Sequence, residues 1–281
     1  MTMRVGIIGA GTMGAGIAEV FARSEGFEAR LADVNLDLAE KGRTRQMSGL
    51  DRQVSRGKLT EEERNRIAAN LVTSHVDDLG DCDLIVEAVL ETMAIKRPLF
   101  EKLDALAKDG AILASNTSSL SITELSQGLN HAVVGMHFFN PAPIMKLIEV
   151  IAGQSTDEST LSTVTEIATA LGKTPVRVHE APGFVVNRIL IPMINEAVAV
   201  LAEGTATAAD IDEAMTLGAN HPIGPLALGD LVGLDICLAI MEVLQSETGD
   251  PKYRPHPMLR KLVRAGWLGR KTSRGFFTYD S

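Results

Sequence analysis

The chain has 281 residues, 45% of them hydrophobic, and a formal net charge of −9. That length holds two domains of ordinary size, each with its own core. The acidic balance argues against a nucleic-acid partner, which requires a positive footprint, and no run of about 18 uncharged apolar residues is present, so no membrane span is expected. Cys82 and Cys237 each sit in an apolar segment, without a CxxC or Cys/His cluster. They read as buried free thiols in a reducing compartment, with no metal site. The first residues run straight into a strand, so no leader is expected and the cytoplasm is the expected location.

A short β-branched run, Val5 to Ile8, ends in Gly9, Gly11 and Gly14, and a small, apolar helix begins at about Thr12. Gly9 allows a tight turn, Gly11 lets backbone approach a pyrophosphate, and Gly14 lets the helix pack close to the sheet. Phosphates would then sit on the unpaired N–H groups at the helix start. Ile17, Val20 and Phe21 form a helical stripe that fades at Glu25-Gly26, and Phe27 to Val34 reads as a second strand holding Asp33. That aspartate lies 19 residues beyond Gly14, where such a unit places the carboxylate that binds the adenosine ribose. A carboxylate there repels a 2′-phosphate, so NAD is favoured over NADP. A strand-end helix cap is the alternative role for Asp33.

A long helix is expected over 36–56, and Thr60-Glu-Glu-Glu63 is a capping box that opens another. Residues 83–89 read as a buried strand and 91–107 as a helix, in which Pro98 is tolerable only near the first turn. Strands are expected at 111–115, 132–136, 146–152 and 174–178, with a helix near 156–171. Alternating strands and helices predict a largely parallel, doubly wound α/β sheet. The texture changes at Ala181-Pro-Gly-Phe184. Helices are expected at 184–203, from Thr207 to Leu217, at 234–247 and at 257–265. The reading is therefore a Rossmann-type domain over 1–183 and an all-helical domain over 184–281. Its apolar stripes, such as Ile189, Met193, Ala197 and Leu201, suit either a core or a homodimer interface.

Charge is unevenly placed. Residues 41–58 carry six cations against Asp51 alone, and 252–274 carry eight with no acid. Two basic islands on an acidic protein suit either an anionic ligand or solvated helix faces. For chemistry, His137 follows a strand and precedes the turn Phe138-Phe-Asn-Pro141. Strand C-termini are where doubly wound sheets bind ligands, and an imidazole is matched to proton transfer at neutral pH. Glu149 sits in the apolar run Leu147-Ile-Glu-Val-Ile151, where an acid needs a partner. Held against the imidazole it would fix the tautomer and stabilise imidazolium; a solvated strand face beside Lys146 is the other reading. Ser118 suits a hydrogen bond to a reacting oxygen, or a turn, and Ser119 suits the cap of a following helix. Asn187 is an amide in an apolar helix start and needs partners.

These motifs together resemble the 3-hydroxyacyl-CoA dehydrogenase family. The resemblance spans essentially the whole chain and is carried by Gly-Ala-Gly-Thr-Met-Gly (9–14), Val-Glu-Ala-Val-Leu-Glu (86–91), Ser-Asn-Thr-Ser-Ser-Leu (115–120), His-Phe-Phe-Asn-Pro (137–141), Met-Lys-Leu-Ile-Glu-Val (145–150), Pro-Gly-Phe-Val-Val-Asn-Arg (182–188) and Gly-Arg-Lys-Thr (269–272). It implies an NAD-binding domain, a helical dimer-forming domain, and reversible oxidation of (S)-3-hydroxyacyl-CoA to 3-oxoacyl-CoA, with short chains favoured. By motif position it makes His137 the general base and Glu149 its partner, with Ser118 and Asn187 positioning the substrate oxygens. It places cofactor contacts at Gly9, Gly11, Thr12, Met13, Gly14, Asp33, Glu91, Lys96, Ser118, Asn140 and Lys271, and CoA contacts at or near Arg56 and Lys58. Family members commonly read Lys-Thr-Gly-x-Gly-Phe-Tyr near the end, where this chain has Ser273 and Phe277, and some carry a CoA-contacting serine where this chain has Gly49. Two other readings are weighed: on the same fold, a dehydrogenase of a free hydroxy acid or sugar acid, against which the basic stretch 41–58 speaks, and, of another class, a non-catalytic nucleotide-binding structural protein.

Overall fold

The computed structural model describes residues 2–280 and divides into two units, Met1–Ala181 and Pro182–Ser281. In chain order the first unit contains β1 (Met3–Ile8), α1 (Thr12–Arg23), β2 (Phe27–Asp33), α2 (Leu36–Ser55), α3 (Glu61–Asn70), β3 (Leu71–His75), β4 (Leu84–Glu87), α4 (Met93–Leu106), β5 (Ile112–Ser115), α5 (Ile122–Ser126), β6 (Ala132–Phe138), β7 (Leu147–Ala152), α6 (Glu158–Ala170) and β8 (Thr174–His179). Among the described residues these strands form one eight-stranded sheet in the order β3-β2-β1-β4-β5-β6-β7-β8. The first six strands follow the dinucleotide-binding order and run parallel, with the order reversing between β1 and β4. β7 pairs antiparallel with β6, and β8 parallel with β7, so the last two strands run the opposite way.

The central strands are covered on both faces, which is why β1 reads as an unbroken apolar run: Val5, Ile7 and Ile8 are all buried. α1 packs against β1 and β2 through a largely apolar side. Ala15, Ile17, Ala18, Phe21 and Ala22 are fully buried, and the Phe21 ring meets Phe27 edge-on at 5.5 Å between centroids. The Thr60–Glu63 capping box forms in both directions. Both cysteines are buried and free, and burial pushes the thiol of Cys82 up to about 11 and that of Cys237 up to about 12. Such thiols stay protonated and unreactive at neutral pH.

Three differences from the sequence reading in this unit have physical causes. β3 was not expected, because Leu71-Val-Thr-Ser-His is a half-exposed edge strand with one fully buried residue. β6 runs two residues beyond 136, since its antiparallel ladder with β7 continues through His137 and Phe138. Pro98 lies in the interior of α4, beyond its first turn, and the helix accommodates it.

The second unit contains α7 (Val186–Ala202), α8 (Ala208–Gly218), α9 (Pro225–Val232), α10 (Leu234–Thr248) and α11 (Pro257–Arg264). Its core is Ile191, Ile194, Val198, Leu226, Leu234, Met241, Leu244 and Leu259, each at most 1% exposed; burying such a side chain stabilises by about 1.5–3 kcal/mol. α9 was not expected. Its N-cap is Gly224, which offers no side chain, so its first N–H groups are satisfied by the buried Asp212, whose two oxygens accept from Leu226 and Ala227 at 2.8 Å. A second buried carboxylate, Asp230, accepts from the N–H groups of Phe276 and Phe277 and from the Tyr279 hydroxyl, which ties the last segment of the chain to α9. Burial and that bond to Asp230 raise the Tyr279 hydroxyl to about 12. Among the described residues no helix is long and apolar enough to cross a membrane, and no group of acids, histidines and cysteines is placed to hold a metal.

The turn before that segment places Ser273 at φ 55, in the left-handed region, where a side chain costs about 1 kcal/mol and glycine costs little. This explains why glycine suits the position. Ser273→Gly is expected to stabilise the protein by about 0.5–1 kcal/mol, read as a higher denaturant midpoint at unchanged m; a lower midpoint would show that the serine makes a compensating contact.

Candidate active site

The turn between β1 and α1 is built on close backbone approach. Gly9 has φ +100, and a Cβ there would lie 2.5 Å from the Ala88 carbonyl oxygen. A Cβ on Gly14 would lie 1.8 Å from the Gly9 carbonyl oxygen, whereas one on Gly11 would meet nothing within 4 Å. The first two glycine constraints shape the loop, and the third position is left open. The open position is the N-cap of α1, which has no side-chain cap and no acid in its first turn. Thr12 is exposed there and Met13 partly so. An uncapped helix start beside bare backbone fits a dinucleotide's pyrophosphate.

Asp33 ends β2 and braces this loop. Its Oδ2 accepts from the Ala10 N–H at 2.6 Å and its Oδ1 from Val34 at 2.7 Å. It is not a helix cap; Asn35 caps α2, accepting from Leu38. The first basic island splits into two kinds of residue. Arg45 donates to the Ala10 carbonyl at 2.7 Å, and Arg43 to the carbonyls of Leu71 and Ala68. These two cations hold the fold together, whereas Arg56 and Lys58 are exposed at the end of α2. Gly42 on the same helix is also required, since a Cβ there would stand 2.7 Å from the Ala10 oxygen.

At the ends of β4 and β5 a buried charge cluster shapes the loop that carries Ser118. Glu87, fully buried, accepts from Lys96 Nζ at 2.6 Å, from the Val89 N–H at 2.6 Å and from Ser115 Oγ at 2.7 Å. Lys96 is 1% exposed and also pairs with Glu91 at 3.1 Å. Glu91 in turn accepts from Thr117 Oγ1, from Ser118 N and Oγ, and from Ser119 N, at 2.6–3.2 Å. Burial works to raise the Glu91 carboxyl, but the Lys96 charge and the bonds from Thr117 and Ser118 outweigh it and hold the group below its ordinary range. Ser119 does not cap the next helix. Ser121 does, accepting from Glu124. The sequence signal for Glu87 is an acid within the apolar strand Leu84–Glu87.

His137 lies within β6, not after it, and its register partner in β7 is Glu149. The ring Nδ1 is 2.8 Å from Glu149 Oε2, with the two residues 6% and 1% exposed. A solvated strand face is thereby ruled out for Glu149. An ionised carboxylate only accepts, so the proton of that bond sits on Nδ1 and Nε2 is the basic nitrogen. The Phe139 ring packs on the imidazole at 4.3 Å between centroids. Asn116, which sequence reasoning did not single out, accepts from Phe138 N at 2.8 Å through its side chain. It thus links the Ser118 loop to the strand of His137. Asn140 is exposed, two residues past β6. In the second unit, Asn187 is the second residue of α7, and Lys271 is exposed and ion-paired with Asp235 at 2.6 Å.

The family model described as the NAD binding domain of 3-hydroxyacyl-CoA dehydrogenase matches residues 4–181, and the model of its C-terminal domain matches 183–279. The chain belongs to the 3-hydroxyacyl-CoA dehydrogenase family. A 3-hydroxybutyryl-CoA dehydrogenase of Clostridioides difficile is 52% identical over 99% of this chain and 100% of its own length. A probable 3-hydroxybutyryl-CoA dehydrogenase of Bacillus subtilis is 50% identical over 98% and 96%. The crystal structure of the (S)-3-hydroxybutyryl-CoA dehydrogenase of Ralstonia eutropha superposes with a TM-score of 0.95 at 47% identity, covering 100% of both chains. This 3-hydroxyacyl-CoA dehydrogenase is an NAD-dependent oxidoreductase with a doubly wound first unit and a helical second one.

The glycine geometry gives a direct check on the cofactor loop. Gly14→Ala must push the helix start away from Gly9, and is expected to weaken NADH binding at least about tenfold, the equivalent of ~1.4 kcal/mol, in a fluorescence titration. Unchanged affinity would mean that the loop relaxes without affecting the dinucleotide.

Proposed function

We propose that this chain oxidises (S)-3-hydroxybutyryl-CoA and related short (S)-3-hydroxyacyl-CoA thioesters to their 3-oxo forms, reversibly. The observation that carries the assignment of roles is the buried His137–Glu149 pair at 2.8 Å near the C-terminal end of β6. Nε2 of His137 takes the proton from the substrate hydroxyl, and Glu149 stabilises the imidazolium that results. The Ser118 hydroxyl, held by Glu91, and the Asn187 amide position the substrate oxygens, as the family motifs suggest. NAD+, when bound, supplies the acceptor for the hydride. Gly9, Gly11, Thr12, Met13 and Gly14 hold its pyrophosphate, Asp33 its adenosine ribose, and Glu91, Ser118, Asn140 and Lys271 the remaining contacts; Lys96, expected among them, is 1% exposed and bonded to Glu87 and Glu91, so it acts through Glu91 and does not touch the cofactor.

Arg56 and Lys58 meet the phosphates of CoA. Their support is that they are exposed, whereas Arg43 and Arg45 of the same helix bond to carbonyls; a polyanion on an acidic protein needs such local cations. The second unit is the substrate-binding and dimerisation domain. In its favour are the exposed apolar side chains Ile189, Leu217, Leu231 and Ile236, which suit burial against a second copy. The protein works in the cytoplasm, in fatty-acid metabolism; the two free buried thiols accord with a reducing compartment.

Acetoacetyl-CoA is expected to drive NADH oxidation while free acetoacetate does not, in parallel initial-rate assays. His137→Gln is expected to lower kcat by roughly 10²–10⁴ with NADH binding retained. Full kcat in that variant would remove His137 as the base, and equal turnover of free acetoacetate would remove the CoA ester as substrate.

A further inference from the structure

The reaction shifts one positive charge across the site. The hydroxyl bond to hydrogen and the carbinol bond to hydrogen both break: the hydride and its electron pair go to the nicotinamide ring, and the proton goes to His137. The substrate is oxidised to the ketone and the ring is reduced. The ring starts with one positive charge and ends neutral, and the imidazole does the reverse. Glu149 is the counter-charge where the positive charge arrives. A matching counter-charge where it starts has a candidate in the cluster at the ends of β4 and β5.

That cluster holds two carboxylates, Glu87 and Glu91, against one ammonium, Lys96, a formal balance of one negative charge. Lys96 bonds both acids, so one cation is shared between them. Glu87 is fully buried, and its bonds come from Lys96, the Val89 N–H and Ser115. A buried acid of this kind is costly in stability compared with an apolar side chain. Holding Lys96 alone does not need both acids. In a doubly wound sheet the two halves of a dinucleotide lie on either side of the switch point, outside the strand ends. With Asp33 marking the adenosine half on β2, the other half belongs to the ends of β4 to β6. Glu87 is the last residue of β4, and its partner Ser115 the last of β5.

We propose that Glu87 is a specificity-determining residue of the cofactor site, giving the Glu87–Lys96–Glu91 cluster the net negative charge that favours the oxidised, cationic nicotinamide over the reduced, neutral one. It acts at a distance and through Lys96 and Glu91, so it is a positioning residue and not a catalytic one. The inference rests on the NAD dependence of the enzyme. It separates Glu87 from a purely structural ion-pair partner, because structure affects both cofactor forms alike and charge does not.

The test is calorimetric titration of the full chain with NAD+ and with NADH, for wild type, Glu87→Gln and Glu87→Asp. Glu87→Gln is expected to raise the ratio Kd(NAD+)/Kd(NADH) roughly tenfold, the order of one unit charge acting over a partly desolvated distance. Glu87→Asp, which keeps the charge, is expected to leave the ratio near wild type even if both affinities fall. A Glu87→Gln ratio within about twofold of wild type in a folded protein overturns the proposal, as does a Glu87→Asp ratio that moves as far as that of Glu87→Gln. If Glu87→Gln does not fold, Glu91→Gln removes the same unit charge from a residue that is 36% exposed; a raised ratio supports the proposal and an unchanged one overturns it. Wild-type protein that bound neither form would overturn the cofactor assignment, and this inference with it.

Discussion

The reversal of direction between β6 and β7 is the constraint on which the proposed acid–base pair depends. In a parallel neighbour, a residue level with the end of β6 would itself lie near a strand end. An antiparallel neighbour sets its early residues against the late residues of β6. Glu149, third in β7, therefore stands opposite His137, sixth in β6. Register partners share a face, with their Cβ atoms about 5 Å apart, so the contact needs no loop to hold it. A buried carboxylate without a partner is costly, and the histidine is the partner the ladder supplies. The pair is thus fixed by the sheet before any substrate arrives, the kind of preorganisation that acid–base chemistry uses.

Much of this was legible in the sequence because the signals were local. Gly9 and Gly14 are glycines that the turn requires, and the capping box at Thr60–Glu63 announces a helix start by itself. The acid in Leu147-Ile-Glu-Val-Ile151 pointed either to a buried partner or to a solvated face beside Lys146, and its burial at 1% exposure decides for the partner. What stayed hidden depends on distant residues. β3 carries only a weak alternating pattern, and its place at the sheet edge comes from pairing with β2. α9 takes its N-terminal cap from Asp212, twelve residues before its N-cap Gly224, so nothing at its own start announced a cap. The basic stretch 41–58 looked uniform as charge, yet Arg43 and Arg45 differ from Arg56 in which carbonyls the fold brings to them.

The Ser118 loop shows how far a single site extends into the scaffold. On one side Glu91 gathers the N–H and hydroxyl groups of residues 117–119, and behind it Lys96 and Glu87 reach into the sheet. On the other side Asn116 takes the Phe138 N–H, next to His137. Ser118 lies in the loop after β5 and His137 in β6, and the Asn116–Phe138 bond joins these two segments.

Asp33 has a consequence for any effort to redirect the enzyme toward a phosphorylated dinucleotide. The usual strategy would exchange this acid for a small or neutral residue, to admit the extra phosphate. Here the same carboxylate receives the Ala10 N–H at 2.6 Å, and Arg45 holds the carbonyl of that residue. The side chain proposed to set selectivity also sets the loop shape. A successful redesign would have to give Ala10 a new acceptor in the same step, and Arg45, already engaged with that peptide, could not simply be borrowed for the incoming phosphate.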